Sequence, residues 1–221
     1  MLSAGHASLM DGVYRHQRHL YDFTRKFYLF GRDSLIRKLN LKPGERVVEV
    51  GCGTARNLIA MARRYPDAHL YGLDASAEML KTAAVAIARA GLQERIKLVQ
   101  GLAEGLEPRL FGEDQPFDRA IFSYSLSMIP QWEQALDAAR RSLRPGGQVD
   151  VVDFGDFARL PRPLAGLLRR WLSLFHVAPR TGFLNRLESR AVANDGTLCI
   201  FPGRYAFLWR GCGESVRDRT D

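Results

Sequence analysis

Two glycines and a carboxylate stand at a spacing that suits a nucleotide-like ligand. Strand-forming residues 47–50 run into Gly51 and Gly53, and an apolar helical pattern follows. Gly51 allows a tight turn, and Gly53 lets a ligand approach the main chain without meeting a Cβ. Asp74 ends a second apolar run 23 residues beyond Gly51, about the spacing at which a carboxylate meets ribose hydroxyls. The pattern predicts the first strand–turn–helix of a doubly wound α/β domain, with the ligand across the turn.

A missing third glycine narrows the choice of ligand. A nicotinamide dinucleotide turn requires glycine at its sixth position, where this chain has Arg56. The run from a strand acid through Gly-x-Gly-x-small instead resembles motif I of the class I S-adenosylmethionine methyltransferases. Asp74, the strand pattern at 117–122 and the turn at 143–147 match later markers of that family in order. The resemblance spans about 41–155 and implies S-adenosyl-L-methionine as cofactor, with S-adenosyl-L-homocysteine as product.

The same resemblance implies which residues hold the cofactor. Most lie in the glycine turn or at the ends of predicted strands, and one arginine comes from the amino-terminal helix. The expected set is Glu49, Gly51, Cys52, Gly53, Asn57, Asp74, Ala75, Met79, Leu102, Ala103, Ser123 and Arg25. Many family members carry an acid for the adenine amine where this chain has Leu102. We expect the backbone of Leu102 and Ala103, or the carboxylate of Glu104, to hold adenine instead.

The elements that position these residues alternate between strand and helix. The patterns predict strands at 46–50, 69–74, 95–101, 117–122 and 147–153, and helices at 54–64, 76–90, 131–143 and about 161–177. Such alternation indicates a mainly parallel sheet. Two further strand patterns, at 197–201 and 204–209, predict an antiparallel hairpin edge. We expect a Rossmann-like α/β fold with a doubly wound, mainly parallel seven-stranded sheet and an N-terminal helical lid.

The chain is predicted to form one domain with terminal additions, as its 221 residues suggest. A helical lid at 1–40, divided near Gly31, precedes the cofactor-binding core at 41–155. Residues 156–210 add an amphipathic helix and the antiparallel strands to the same domain, and 211–221 form a tail.

The charge of the chain favours an anionic partner. Its net charge is +8 at pH 7 and its pI is about 9.7, which suits nucleic acid or an anionic membrane surface. Families that methylate bases carry an Asn/Asp-Pro-Pro-aromatic motif after the fourth strand, where this chain reads Ser-Tyr-Ser-Leu-Ser-Met at 123–128. With no nucleic-acid module recognisable either, we expect lipid and no nucleic acid. Three cysteines without metal-ligand spacing indicate a reducing cytoplasm and no metal.

An amphipathic segment bears on where the protein works. Within 161–177 an apolar stripe recurs at helical spacing. Its members are Leu164, Leu167, Leu168, Trp171, Leu172 and Phe175. Such a stripe either packs against the domain core or lies at a membrane interface with its arginines among anionic headgroups. The sequence has no membrane-spanning run and no signal-peptide core at its start. We expect a cytoplasmic protein, peripheral on the inner face of the plasma membrane.

An amino-terminal helical pattern narrows the substrate. Tyrosines recur every seven residues on one face and arginines on another. They are Tyr14, Tyr21, Tyr28, Arg18, Arg25 and Arg32. The string from Tyr14 to Asp33, ahead of the cofactor motif, resembles the bacterial betaine-lipid methyltransferases, and the likeness extends to 201–205. It implies three successive methylations of diacylglyceryl-homoserine to the trimethylated betaine lipid.

From this resemblance we expect particular side chains to surround the substrate amine and its carboxylate. Tyrosine rings are expected to stabilise the developing ammonium by cation–π attraction, worth roughly 0.5–2 kcal/mol. His19 or Asp153 would accept a proton, and Arg25, Arg32 or Arg180 would pair the substrate carboxylate. The expected catalytic residues are Tyr21, Tyr28, Tyr124, His19 and Asp153, and the expected substrate-binding residues are Tyr14, Arg32, Arg180 and Trp171.

Other functions fit the same residues. The nearest alternative is methylation of phosphatidylethanolamine. An enzyme acting on a soluble small molecule or on RNA would bury the 161–177 stripe as core. A non-enzyme alternative is an S-adenosylmethionine-binding accessory module of a lipid-modifying complex. In the favoured interpretation, a separate enzyme supplies diacylglyceryl-homoserine and is the expected functional partner.

Overall fold

The computed structural model describes residues 31–174, 177–179, 181–192 and 196–212. The strands are β1 (Arg46–Val50), β2 (His69–Asp74), β3 (Ile96–Gln100), β4 (Phe117–Ser123), β5 (Leu143–Phe154), β6 (Thr197–Ile200) and β7 (Ala206–Cys212). The helices are α1 (Arg32–Lys38), α2 (Arg56–Arg64), α3 (Ala77–Arg89), α4 (Trp132–Arg141), α5 (Arg162–Ser173) and α6 (Thr181–Val192). Short 3₁₀ turns follow β3 (Ala103–Gly105 and Pro108–Phe111) and β6 (Pro202–Arg204).

The strands form one seven-stranded sheet in the order β3-β2-β1-β4-β5-β7-β6. β1 to β5 pair in parallel, whereas β7 runs antiparallel between β5 and β6. The predicted class I methyltransferase fold and its hairpin edge are confirmed. The strand order reverses between β1 and β4, and ligands bind at such a point, outside the carboxyl ends of the strands.

The two faces of the sheet bury separate apolar clusters. Val47 and Ile121 belong to the cluster under α1, α2, α3 and α5, while Val48 and Phe122 belong to the cluster under α4 and α6. All four side chains are buried. Parallel strands covered on both faces carry near-continuous apolar runs, and this explains why β1 and β2 have the bounds that the sequence predicts.

The largest difference from the sequence prediction lies after β5. The helix predicted at 161–177 is wrong at its end, because α5 stops at Ser173, and α6 was not predicted. The buried residues of α6, Phe183, Leu184 and Leu187, give only a short apolar pattern, and Gly182 interrupts its first turn. β5 also begins at Leu143 rather than 147, because pairing with β4 continues through an irregular segment.

Arg204 ties the loop after β5 to α6. Its Nε donates to Asp156 Oδ1 at 2.8 Å, and its Nη1 donates to Glu188 Oε1 at 2.7 Å. Burial alone would raise the pKa of Asp156, but hydrogen bonds from Arg204 and from the Ala158 N–H outweigh it and lower that pKa. The contact therefore contributes its full stabilisation at pH values above the usual pKa of an aspartate. This stabilisation is lost as the pH falls through the lowered pKa of Asp156.

We expect Arg204→Gln to reduce the free energy of unfolding by about 1–3 kcal/mol, since both carboxylates lose a charged donor. Denaturant unfolding at neutral pH measures this, and Asp156→Asn should weaken the loss of stability on acidification. Lys81→Gln, which breaks the exposed pair with Glu78, is the control and should change stability by less than about 0.5 kcal/mol. If Arg204→Gln and Lys81→Gln reduced the free energy of unfolding equally, Arg204 would not have the stabilising role assigned to it.

Candidate active site

The turn between β1 and α2 is built on two glycines in the left-handed backbone region. Gly51 and Gly53 have φ values of +74° and +53°, in the left-handed region that glycine adopts readily. The N–H groups of Gly51 and Cys52 both donate to the Leu73 carbonyl, at 2.8 and 3.0 Å. A Cβ on Gly51 would lie 2.6 Å from the Cβ of Ser125 in the loop after β4. Only glycine fits where β1 and β4 diverge.

The two predicted acids hold this turn from opposite sides. Asp74 accepts a hydrogen bond from the Gly53 N–H at 2.7 Å through Oδ2, and one from the Ser76 N–H at 2.9 Å through Oδ1. Glu49 is buried, and its Oε1 accepts from Asn57 Nδ2 at 2.6 Å. The structure thus brings the glycine turn, both carboxylates and Asn57 together, as the sequence predicts.

Cys52 is a packing residue within the turn. Burial raises the pKa of its thiol, and the nearby carboxylates of Asp74 and Glu49 raise it further. The thiol therefore stays protonated at neutral pH and offers no nucleophile. A Cβ on Gly72 of β2 would lie 2.9 Å from Cys52 Sγ, so the thiol fills the space that this glycine leaves.

Three serines line the carboxyl end of β4 and the loop beyond it. The hydroxyls of Ser123, Ser125 and Ser127 are buried, and none has a hydrogen-bond partner within the described residues. Buried polar groups without partners are uncommon in folded proteins, and these three suit the polar atoms of a ligand. Only Ser123 was expected to bind the cofactor; Ser125 and Ser127 stand out through their burial without partners.

The predicted adenine contacts lie at the end of β3. Leu102 and Ala103 open a 3₁₀ turn and are half-buried together with Glu104. Gln100, which was not among the predicted site residues, donates from Nε2 to the carbonyl of Ala75 at 3.1 Å. This bond joins the end of β3, two positions before Leu102, to the residue after β2. Met79 is buried close by in α3.

Tyr124 and Asp153, two of the predicted catalytic residues, are both buried. Tyr124 has a φ of 56°, and its buried ring packs 4.7 Å from the ring of Phe154. Such backbone strain is concentrated at functional sites, but this ring belongs to the core. Asp153 is also buried and accepts from the N–H groups of Ser127 and Phe154, at 3.0 and 2.7 Å. These bonds favour a role for Asp153 in positioning the serine loop, the segment after β4 that carries Ser125 and Ser127, rather than a role in proton transfer.

The substrate residues are divided between the core and the part that the structure leaves undescribed. Arg32, the first residue of α1, is only 7% exposed, and its Nε has no partner within the described ranges. A Cβ on Gly31 beside it would lie 3.3 Å from Val152 Cγ2, which places this helix end against the carboxyl half of β5. Trp171 is half-buried against the core. The predicted Tyr14, His19, Tyr21, Arg25, Tyr28 and Arg180 lie outside the described residues.

The described residues fit S-adenosylmethionine. At Gly51 a Cβ would meet Ser125, so the turn and the loop after β4 approach each other closely, and Asp74 accepts a hydrogen bond from the Gly53 N–H in the same turn. The hydroxyls of Ser123 and Ser125 have no partner among the described residues. A cofactor with hydroxyl, ammonium and carboxylate groups satisfies such a set of donors and acceptors.

Known proteins resemble this chain in sequence. The family described as a methyltransferase domain matches residues 47–147. The ubiquinone/menaquinone biosynthesis C-methyltransferase UbiE of Syntrophotalea carbinolica is 31% identical over 193 residues, covering 85% of this chain and 77% of that protein. A demethylmenaquinone methyltransferase of Geobacillus kaustophilus is 31% identical over 151 residues, covering 68% of this chain. That alignment spans only 58% of the Geobacillus protein.

The fold also matches solved structures. The S-adenosylmethionine-dependent methyltransferase SibL in its apo form superposes with a TM-score of 0.64 at 24% identity, covering 87% of this chain and 57% of that one. At this identity the likeness concerns the fold alone. Together with the sequence relatives and the glycine turn, it leads to one conclusion. The chain belongs to the class I S-adenosylmethionine-dependent methyltransferases, and S-adenosyl-L-methionine is its cofactor.

Proposed function

We propose that this enzyme methylates the amino group of a membrane-lipid headgroup, and that its substrate is diacylglyceryl-homoserine, methylated three times. The observation that supports this most is Arg32, a buried guanidinium whose Nε lacks a partner among the described residues, at a helix end against β5. Guanidinium groups suit carboxylates because their fork matches both oxygens. The homoserine headgroup offers a carboxylate beside its amine.

The protein itself has to supply little chemical activation for this reaction. When bound, S-adenosylmethionine supplies a methyl group already activated for displacement by a nitrogen lone pair, so that positioning dominates catalysis. In this proposal Arg32 holds the headgroup carboxylate, and Asp153 fixes the serine loop through its bond to the Ser127 N–H. The buried rings of Tyr124 and Phe154 exclude water behind the site. His19 stays a predicted proton acceptor.

A second candidate is C-methylation of a quinone precursor, which the names of the relatives favour. A quinone ring carries neither an amine nor a carboxylate, so this alternative gives Arg32 no anionic partner on the substrate. Phosphatidylethanolamine, a third acceptor, has the amine and a phosphate, which a guanidinium also binds. Removing the guanidinium therefore separates the quinone from the two lipids, and the lipid composition of the vesicles separates the two lipids from each other.

We expect Arg32→Gln to raise the KM for diacylglyceryl-homoserine roughly 10- to 100-fold, the effect of losing a charged hydrogen bond worth about 1.5–3 kcal/mol. The dissociation constant for S-adenosylmethionine should stay the same, because the glycine turn is untouched. Methyl transfer from labelled cofactor into vesicles that contain the lipid measures the first quantity, and calorimetry measures the second.

Arg37→Gln is the matched control, since Arg37 is exposed on the same helix and should leave KM unchanged. Vesicles doped with phosphatidylethanolamine test the nearest alternative. If label enters the ethanolamine lipid and Arg32→Gln has no effect on the homoserine lipid, the proposed substrate is wrong. If the variant loses cofactor affinity as well, Arg32 supports the fold rather than the headgroup.

A further inference from the structure

Helix α5 exposes an apolar face. Leu164 and Leu167 on the helix are 50% and 67% exposed, and Leu174, directly after its carboxyl end, is 64% exposed. The opposite side of the helix buries Ala165 and Leu172 in the core. Burying the first set as well would require a partner, because one side of the helix already faces the domain. The stripe predicted from the sequence is therefore split between core and surface.

The other described elements do not expose large apolar side chains in groups as α5 does. Within the described ranges, the other large apolar side chains with substantial exposure are Val85 on α3 and Leu110 after β3. They lie singly on separate elements, as scattered surface hydrophobics usually do. Contiguous exposed apolar surface marks an interaction site more often than chance.

The charge around α5 is one-sided. Residues 157–187 include six arginines and no aspartate or glutamate. The six are Arg159, Arg162, Arg169, Arg170, Arg180 and Arg186. The first four are exposed, and none of them forms an ion pair with a carboxylate in the described part of the chain. At about 100° per residue, Arg170 lies roughly 60° around the helix from Leu167, beside the apolar face.

We propose that this face of α5 docks onto an anionic lipid bilayer. Exposed leucines around a half-buried tryptophan, with an arginine beside them, are typical of a helix in the interface plane, where leucine enters the acyl boundary and arginine meets headgroup phosphates. The absence of acids over 157–187 removes the repulsion that an anionic surface would otherwise meet. In the described ranges no helix could cross a bilayer, and this one lies along its surface.

The buried side of α5 packs on the same face of the sheet as part of the site. Ala165 and Leu172 belong to the apolar cluster that also contains Tyr124, just after β4, and Phe154, the last residue of β5. Docking through the outer face of α5 therefore holds this face of the domain close to the bilayer. The inference deepens the proposed function, on which its purpose rests, but lipid binding is measured without any substrate or cofactor.

Flotation with vesicles of phosphatidylglycerol and phosphatidylcholine tests the docking surface. Wild-type protein should float at low salt, and the Leu164→Ser/Leu167→Ser variant should partition at least tenfold less, since both leucines lose their apolar burial. Val85→Ser, at a comparably exposed position on α3, is the matched control and should float like wild type. Because all three side chains are exposed, the variants should keep the wild-type Tm.

A charge variant gives an independent readout. Arg159→Gln/Arg170→Gln should weaken flotation roughly 30-fold at low salt, whereas Arg63→Gln/Arg89→Gln, which removes the same charge from exposed positions on α2 and α3, should have little effect. Equal losses in the two charge variants would show a general electrostatic attraction and overturn the assignment to α5.

Two other outcomes would also overturn it. One is flotation of the leucine variant at the wild-type level. The other is a wild-type dimer in light scattering that Leu164→Ser/Leu167→Ser converts to a monomer, because the face would then bind a second copy of the chain. Failure of the proposed reaction is separable: flotation without methylation of diacylglyceryl-homoserine would retain the docking surface and reject the substrate.

Discussion

Replacing Gly51 by alanine is expected to abolish measurable binding of S-adenosylmethionine and to destabilise the fold by several kcal/mol. A φ of +74° costs a non-glycine residue about 1–2 kcal/mol, and the new Cβ would meet Ser125 Cβ at 2.6 Å. Relief of that contact moves the turn or the serine loop, and both belong to the cofactor site. Isothermal titration calorimetry and denaturant unfolding measure the two effects.

Gly44→Ala separates the two causes. Gly44 has a similar φ of +80°, but nothing lies within 4 Å of its Cβ position. This variant should lose only the conformational cost and keep its cofactor affinity. The double variant Gly51→Ala/Ser125→Gly should regain part of the lost stability, since it removes the clashing atom, and the coupling is read from a double-mutant cycle. Equal behaviour of the two alanine variants would contradict a cradle at Gly51.

Replacing Asp74 by asparagine has the second largest expected effect. We expect the dissociation constant for S-adenosylmethionine to rise about 10- to 100-fold, because each hydrogen bond to a charged group contributes about 1.5–3 kcal/mol. The carboxylate also accepts from the Gly53 and Ser76 N–H groups. The amide nitrogen of asparagine would face one of these donors, so the turn itself becomes less ordered.

Asp67→Asn controls for the lost charge, since Asp67 is exposed in the loop before β2 and should leave cofactor affinity unchanged. Calorimetry on both variants at matched ionic strength makes the comparison. A wild-type dissociation constant for Asp74→Asn would remove Asp74 from the cofactor site. The carboxylate would then serve to hold the turn, through its bonds from the Gly53 and Ser76 N–H groups.

The sequence predicts the central strands well because burial on both faces leaves an unmistakable pattern. β1 and β2 are short, largely apolar runs between turn residues, and the sequence predicts their bounds. The elements after β5 depend on contacts distant in sequence, such as those of Arg204 with Asp156 and Glu188. No local pattern encodes such contacts, so the sequence predicted a helix that runs four residues past the end of α5 and did not predict α6.

The site, like the fold, contains residues that the sequence predicts and residues that it does not. The glycine turn and Asp74 carry spacing that is legible in the sequence, and the structure brings them together. The hydroxyls of Ser125 and Ser127 become notable only when their burial without partners is known. Asp153 was predicted as a proton acceptor, and the structure adds a contact that the sequence did not indicate. It lies within β5 and accepts from the N–H groups of Ser127 and Phe154. Its part in proton transfer stays a prediction.

The measurement that tests the central claim most directly is a competition between acceptors. Anionic vesicles would contain equal amounts of diacylglyceryl-homoserine and demethylmenaquinone, together with labelled S-adenosylmethionine and the enzyme. We predict that the label appears in the homoserine lipid on nitrogen, and that mass spectrometry finds one, two and then three added methyl groups. Label confined to the quinone would contradict lipid N-methylation and assign this enzyme the chemistry named for its relatives.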